Sequence, residues 1–417
     1  MKAATLNYKN TYLKSTAPRG EFPPALPLFV PPGTREIILP DPMLDTDLPL
    51  GHVAQASAAD HLSLQDISNL AHYTLGLSRY EPGELYLYHR PAPSPRCKHA
   101  TELWYFTLQD AALPAGLYRY NPIRHTLQMD DLQDWLSILA ENARQPQDGW
   151  LLSAVPDRLR HIYGDFTSRL MCLEAGHVTE QLQLVHHMLG HGLRSVPFPQ
   201  QWVWPTTEKE IPLQVLWREN LQTEDTPLPV SFVEATRNRH SAHGSNGVYP
   251  LPIRLPLETA CQMGEFASRQ KTTASLYAVV QNVEGLDPGA YSYLPHEGFR
   301  WIAPIPRKSE MQQALFITPG FHVPHCPIVW LISEDTGVLQ AEGTMQDYQQ
   351  THQDVGRVGQ RLGLAAAASG LFARPAVSHD EGYFDWLLRL TDTDETVLYQ
   401  VLIGQDRYEG WPVQMMF

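Results

Sequence analysis

Leu113-Pro-Ala-Gly116-Leu-Tyr118-Arg-Tyr120-Asn-Pro122 is the stretch on which the fold turns, because the chain says it again as Leu286-Asp-Pro-Gly289-Ala-Tyr291-Ser-Tyr293-Leu-Pro295. Leu, Gly, Tyr, Tyr and Pro recur in step, from Leu113 with Leu286 to Pro122 with Pro295. A period of that length is the size of a domain, not of a solenoid unit. A second phrase keeps the same order. Leu173-Glu-Ala-Gly176-His-Val-Thr-Glu180, running on to Gly190, is echoed by Asp354-Val-Gly356-Arg-Val-Gly-Gln360, ending at Gly370. The interval from Gly176 to Gly190 equals that from Gly356 to Gly370. Apolar positions between the glycines fall three and four apart, the spacing of one helix face, and the closing glycine suits a C-terminal cap. The chain reads as two copies of one domain in tandem.

The surrounding segments fill in that domain twice. Leu62–Leu77 has helical spacing, Glu102–Leu108 is an aromatic-rich strand, and the Pro-Ala-Gly116 turn leads to its partner strand. Leu132–Ala143 and Ala154–Tyr163 read as helices, followed by the glycine-bounded helix and the strand Leu213–Trp217. The second copy offers a helix at Leu257–Ser268, then strands at Ser275–Val280, Ala290–Tyr293, Ile328–Ile332 and Val397–Gly404. Such a mixture predicts an α+β fold with helices on largely antiparallel sheets. Nine prolines before residue 50 preclude long helices, so residues 1–50 read as an extended arm. The expected division is then 51–220 for the first domain, 221–231 for a linker, and 232–417 for the second.

Composition narrows the function. Asp and Glu number 45 against 31 Lys and Arg, a formal charge of −14, which disfavours nucleic acid and acidic membranes as partners. No run approaches a membrane span, and Met1-Lys-Ala-Ala-Thr-Leu has no signal-peptide core. Cys97, Cys172, Cys261 and Cys326 lack CxxC spacing, which points to a reducing cytoplasm and away from a Cys-built zinc site. His187 and His191 stand four apart, as on one helix face, but the glutamate of HExxH is absent, so no metal is expected. GxGxxG, P-loop and GxSxG elements are missing too.

Four elements lie in a telling order: Arg90-Pro-Ala-Pro93-Ser94-Pro-Arg-Cys-Lys-His99-Ala-Thr-Glu102, the Pro-x-Gly-x-Tyr-x-Tyr hairpin, Ile162-Tyr163-Gly164, and the helix phrase from Ala175 to Gly190. Together they resemble the nitroreductase-like flavoproteins and, among them, the SagB/McbC-type azoline dehydrogenases, over roughly residues 60 to 405. That resemblance implies FMN as cofactor, held where two subunits of a two-fold dimer meet. Here a tandem duplication supplies the interface as an intrachain pseudo-dimer, in a monomer or a homodimer. It also implies site residues. Arg90 and Ser94 belong to the loop along the flavin, and Arg237, Arg239 and Ser241 resemble the phosphate clamp, with His243 replacing its second arginine and Arg374 or Arg194 able to compensate. A guanidinium grips a phosphate in a planar, bidentate way that lysine cannot copy. The first copy keeps the Pro-Ser loop and the second keeps the clamp, which implies one composite FMN site.

The resemblance also implies a reaction, the oxidation of a thiazoline or oxazoline to an azole in ribosomal peptide natural-product biosynthesis. Its partners would be a precursor peptide and a cyclodehydratase. The related enzymes place a Lys-Tyr pair before a glycine; this chain has Ile162-Tyr163-Gly164, and isoleucine accepts no proton. His161 has a suitable pKa range for a base, though on a helix it points about 100° away from residue 162. Three readings stay open: Tyr163 with His161 as catalytic pair, a different substrate such as a nitro or quinone compound reduced by NAD(P)H, or a scaffold that binds peptide or partner without redox chemistry.

Overall fold

The computed structural model describes residues 35–407, apart from 58, 60, 82–85, 131–136, 138, 142–147, 199–209, 222–226, 243–247, 270–271, 306–307, 315–320, 338 and 340–342, and also Val413–Gln414. Residues 1–34 of the expected arm, most of the expected Leu132–Ala143 helix, the middle of the linker and His243 lie outside the described residues.

The first sheet holds β1 (Glu36–Ile38), β5 (Thr101–Thr107), β6 (Gly116–Asn121), β7 (Thr126–Asp130), β8 (Asp148–Ala154), β9 (His191–Pro197) and β10 (Ile211–Asn220), in the order β1-β7-β6-β5-β8-β10-β9. The second holds β12 (Ser275–Val280), β13 (Gly289–Leu294), β14 (Gly298–Pro304), β15 (Ile328–Asp335), β16 (Phe372–Ala376) and β17 (Glu395–Gly404), in the order β14-β13-β12-β15-β17-β16. Every pairing in both sheets is antiparallel. With β1 set aside, the two orders coincide strand for strand. Two α+β domains of one topology thus lie in tandem, as the repeated phrases predict.

The hairpin phrase has a local cause. Tyr118 donates its hydroxyl to the Pro114 carbonyl (2.6 Å), and Tyr291 does the same to Asp287 (2.8 Å), each tying a strand back to the turn that starts it. A side chain at Gly116 would press on the Tyr118 ring, so the glycine and tyrosine are selected together. The copies also share a half-buried hydrogen-bonded corner. Trp104 Nε1 and the Ser153 hydroxyl both donate to Glu210, and at the equivalent places Tyr277 and Ser333 donate to Glu395 (3.2 and 2.6 Å). Such partners satisfy polar groups that would otherwise be costly to bury.

The helices are α1 (Leu64–Leu75), α2 (Asp157–Tyr163), α3 (Thr167–Met188), α4 (Phe232–Asn238), α5 (Leu257–Ser268), α6 (Lys308–Ala314), α7 (Met345–Ala368) and α8 (Glu381–Leu387). α3 and α7 are the two copies of the glycine phrase, and they pack against each other between the sheets. The expected boundary is corrected here. The closing glycines do end the helices in the left-handed region (φ 77° at Gly190, 70° at Gly370), but Gly176 and Gly356 sit in mid-helix. They mark the crossing. A Cβ on Gly176 would strike the Gln353 carbonyl, and one on Gly356 would strike the Leu173 carbonyl and lie 3.2 Å from Gly176 Cα. Backbones touch where the sequence repeats a glycine.

Charge and amide groups lock that crossing. Arg361 Nε and Arg357 Nε on α7 donate to Glu180 of α3 (2.6 and 3.2 Å). Gln360 accepts from His177 Nδ1 (3.0 Å) and donates to Gln181 (2.8 Å), while Tyr399 of β17 lies 3.0 Å from His177 Nε2. Chain ends cross between the domains as well. β2 (Pro49–Leu50) pairs with β11 (Leu228–Ser231), so the last residues of the expected linker are strand. β3 (Arg79–Tyr80) lies between β4 (Tyr88–His89) and β18 (Val413–Gln414), joining residue 80 to residue 413.

Candidate functional site

Between α1 and β5 the first domain inserts residues 76–100, whereas the second joins α5 to β12 with only 269–274. The long insertion carries Arg90 and Ser94. α4 brings Arg239 to meet it from the second domain; the Ser231 hydroxyl caps that helix by accepting from the Glu234 N–H (3.2 Å). Just beyond its end, Arg239 Nη2 donates to the Arg90 carbonyl (2.9 Å). From α7, Gln360 donates to the next carbonyl, Pro91 (3.3 Å). Arg239 lies along α7 where Gly363 leaves room, its Cδ 3.7 Å from the position of a Cβ there.

Three guanidiniums, those of Arg79, Arg90 and Arg239, are buried at this junction. Arg90 is 3% exposed and Arg239 5%. Arg90 Nε and Nη1 and Arg239 Nε have no hydrogen-bond partner among the described residues. Burial lowers both pKa values to about 10, with the nearby Arg79 charge adding to the effect at Arg239. A buried cation with idle N–H groups is strongly disfavoured unless an anion compensates. The donor set fits a phosphate or another oxyanion bound between the domains.

Ser94 anchors its loop. Its hydroxyl donates to Glu174 Oε2 of α3 (2.9 Å) and accepts the His99 N–H (2.7 Å), while Glu174 Oε1 accepts the Thr101 N–H (3.0 Å). Burial raises the Glu174 pKa. The latch secures a strained turn, since Arg96, Cys97 and His99 all have φ of 49°, a region that costs non-glycine residues energy.

The remaining expected residues fall in different places. Arg237 gives its carbonyl to Arg79 Nη1 of the long insertion (3.2 Å), and its charge acts on His72 and Tyr73 of α1. Arg374 Nη1 donates to the Ser241 carbonyl (3.3 Å); its pKa is lowered by burial, while Tyr86 and Tyr163 favour its charged form. Tyr163 ends α2 and lies under the Arg96 guanidinium, 5.8 Å from ring centroid to Cζ. Ile162 turns into the core, whereas His161 is exposed, its Nδ1 3.2 Å from the Asp157 carbonyl. Arg239 meets the Arg90 carbonyl, Arg374 acts electrostatically on Tyr163, Cys97 lies within electrostatic reach of both Arg239 and Arg374, and His161 is left exposed. Arg194 pairs with Glu219 (3.7 Å) on the first domain's own β9–β10 edge.

The helical pair His187 and His191 is corrected. Gly190 ends α3, and His191 opens β9, so the two share no helix face. His186 is a buried core residue whose Nε2 accepts a hydrogen bond from Trp150 Nε1 (3.0 Å). Glu174 and Gln360 carry no sequence signal of their roles, which depend on contacts with Ser94 and Pro91, far away along the chain.

The sequence matches no family model and no curated protein. Among solved structures, a proposed nitroreductase from Anabaena variabilis superposes with a TM-score of 0.67 at 19% identity, over 82% of this chain and 88% of that one. A proposed nitroreductase from Ralstonia eutropha (TM-score 0.35, 20% identity, 47% and 93% covered) is a far weaker match. So is the E. coli microcin synthetase McbBCD complex with truncated pro-MccB17 bound (0.34, 13%, 46% and 79%). Coverage of 82% necessarily takes in both halves. The chain therefore has the nitroreductase fold, built from two α+β domains in a single polypeptide.

Proposed function

We propose that this chain is an FMN-dependent oxidoreductase with one flavin between its two domains, and that it oxidises azolines to azoles on a precursor peptide. The observation that carries the cofactor is the pair of buried guanidiniums at Arg90 and Arg239, in which Arg90 Nε and Nη1 and Arg239 Nε have no hydrogen-bond partner among the described residues. Arg239, with Ser241 beside it in the chain, would take the phosphate. Arg90 would face the ring system, where a cation favours the negative charge of the reduced form. FMN, when bound, supplies hydride acceptance from the carbon being oxidised. The side-chain chemistry left to the protein is the removal of a proton, and Tyr163, whose ring lies under the Arg96 guanidinium, is the acid–base side chain for it. A cyclodehydratase would deliver the azoline.

The test is direct. Titrating the purified protein with FMN should saturate at one flavin per chain, with a flavin absorbance band and quenched flavin emission. Tyr163→Phe should retain that binding while azoline turnover drops by ~10²–10⁴-fold, the usual contribution of an acid–base group. Binding of no FMN, or full turnover in Tyr163→Phe, removes the reading.

A second reading draws on the exposure of His161 and the burial of Ile162, which leave no base at the family's lysine position. In it the chain is a scaffold that binds precursor peptide or cyclodehydratase without redox chemistry. Peptide binding by a protein that takes up no FMN would favour it.

A further inference from the structure

We propose that Cys97, His89 and Glu81 form a second reactive centre, a base-assisted thiol that adds to α,β-unsaturated carbonyl compounds. Neither the fold nor the flavin reading requires it. Its geometry comes from the small sheet. Arg79 and His89 are directly opposed in the β3–β4 ladder, and Glu81 follows Arg79 by two residues, so the strand period puts all three side chains on one face. Glu81 Oε1 pairs with Arg79 Nε, and Glu81 Oε2 lies 3.2 Å from His89 Nε2. The other ring nitrogen, His89 Nδ1, lies 3.8 Å from Cys97 Sγ, within reach of an S–H donor. The nucleophile is thus within reach of the base, and a carboxylate stands beside the far ring nitrogen at ion-pair distance without a hydrogen bond to it, which keeps the thiol–base pair by which thiols are activated on many folds.

The backbone contributes too. Cys97 is held at φ 49° in the strained turn latched by Ser94 and Glu174, a conformation kept only where the surroundings enforce it. Burial raises the thiol pKa to about 11, although Arg239 and Arg79 oppose the rise. Burial likewise lowers the pKa of His89, which leaves it a neutral base near pH 7. Cys97 is therefore a thiol at rest and needs its neighbour to react. In the step, Sγ–H passes its proton to His89 Nδ1 as the S–C bond forms at the β-carbon. The C=C π pair moves to the α-carbon, which then takes the proton back from His89. Atoms and electrons balance with no oxidant and no leaving group.

The experiment uses the protein as purified and acrylamide as probe, with adduct formation at each cysteine followed by peptide mass spectrometry. Cys261, half-buried like Cys97 and also raised in pKa, is the internal control. At pH 7 Cys97 should react at least about tenfold faster than Cys261, and His89→Gln should remove most of that advantage while leaving Cys261 unchanged. If His89→Gln does not fold, the wild-type pH profile decides. Between pH 6.5 and 8, Cys97 should react at a nearly constant rate, because the base is already neutral and the thiol still protonated, while Cys261 speeds up about tenfold per unit. A Cys97 no faster than Cys261, insensitive to His89, or parallel to Cys261 in its pH profile overturns the proposal. Because the readout is adduct mass, the result stands whether or not the protein binds FMN.

Discussion

The two domains share a sheet order, a tyrosine-tied hairpin and a hydrogen-bonded carboxylate corner, yet they differ sharply in what they hang on that frame. Between its first helix and first central strand, the first domain carries the long loop 76–100, which holds Arg90, Ser94 and Cys97; the second has only 269–274 there. The second domain in turn supplies Arg239 from beyond α4, and among the described residues the other side of the pseudo-dimer offers no counterpart to that buried pair. Duplication preserved the framework because packing demands it. The two copies could diverge in the connecting segments, because loops tolerate change that strands do not.

If framework and site are separable in this way, the largest effects should come from the symmetric crossing. Gly176→Ala and Gly356→Ala should each destabilise the fold by about 3 kcal/mol or more, since the new methyl meets backbone that cannot yield. Denaturant unfolding should show losses of similar size for both; a tolerated alanine at either position would mean that the helices do not touch there. Next comes the asymmetric site. Arg239→Ala should weaken FMN binding by about 2–3 kcal/mol, the range for charge-assisted hydrogen bonds, with little change in unfolding. Arg269→Ala, in the short loop of the other copy, should leave flavin affinity unchanged. Equal losses from both would point to two sites.

A smaller effect separates the crossing from its histidine. Burial lowers the pKa of His177, His72 and His352 to about 3 and of His379 to about 4, against about 6.5 in an unfolded chain. Between those values the unfolded state binds more protons than the folded one, so stability is complete above pH 6.5 and declines as pH falls toward 4. His177→Gln should be less stable at pH 7.5 but should lose about 1–2 kcal/mol less than wild type between pH 7.5 and 5. A slope equal to wild type would show that His177 titrates normally. The smallest effect belongs to Gly363→Ala. Its methyl would meet only the Arg239 side chain at 3.7 Å, and the helix should gain about 0.5–1 kcal/mol.

What the sequence disclosed, and what it hid, follows from the range of the forces involved. The hairpin phrase was readable because Tyr118 and Tyr291 bond to carbonyls four residues back, so cause and signature share one short segment. Gly190 and Gly370 were readable as helix ends for the same reason. Gly176 and Gly356 carried an equally strong signal that pointed to the wrong cause: the collision they avoid is with a segment in the other half of the chain, and nothing local marks it. His191 was misplaced onto α3 because its spacing from His187 looks helical while the turn at Gly190 intervenes. Arg90 and Arg239 could be named from their motifs. Their meeting, like the Glu174 latch and the Arg79–Glu81–His89 face, could not, because each depends on strand register or on contact between the domains.

The pairing of β3 with β18 sets a schedule for biosynthesis. The strand that carries Arg79 can be synthesised and can fold locally long before its partner exists. Position 413 follows position 80 only after most of the chain has been made. At ~5–20 residues per second, roughly 20–70 s separate the two. Through that interval the edge of β3 stays open on the ribosome, and the face bearing Glu81 and His89 is braced on one side only. The nascent first domain is thereby kept from completing its cleft until the second has been made.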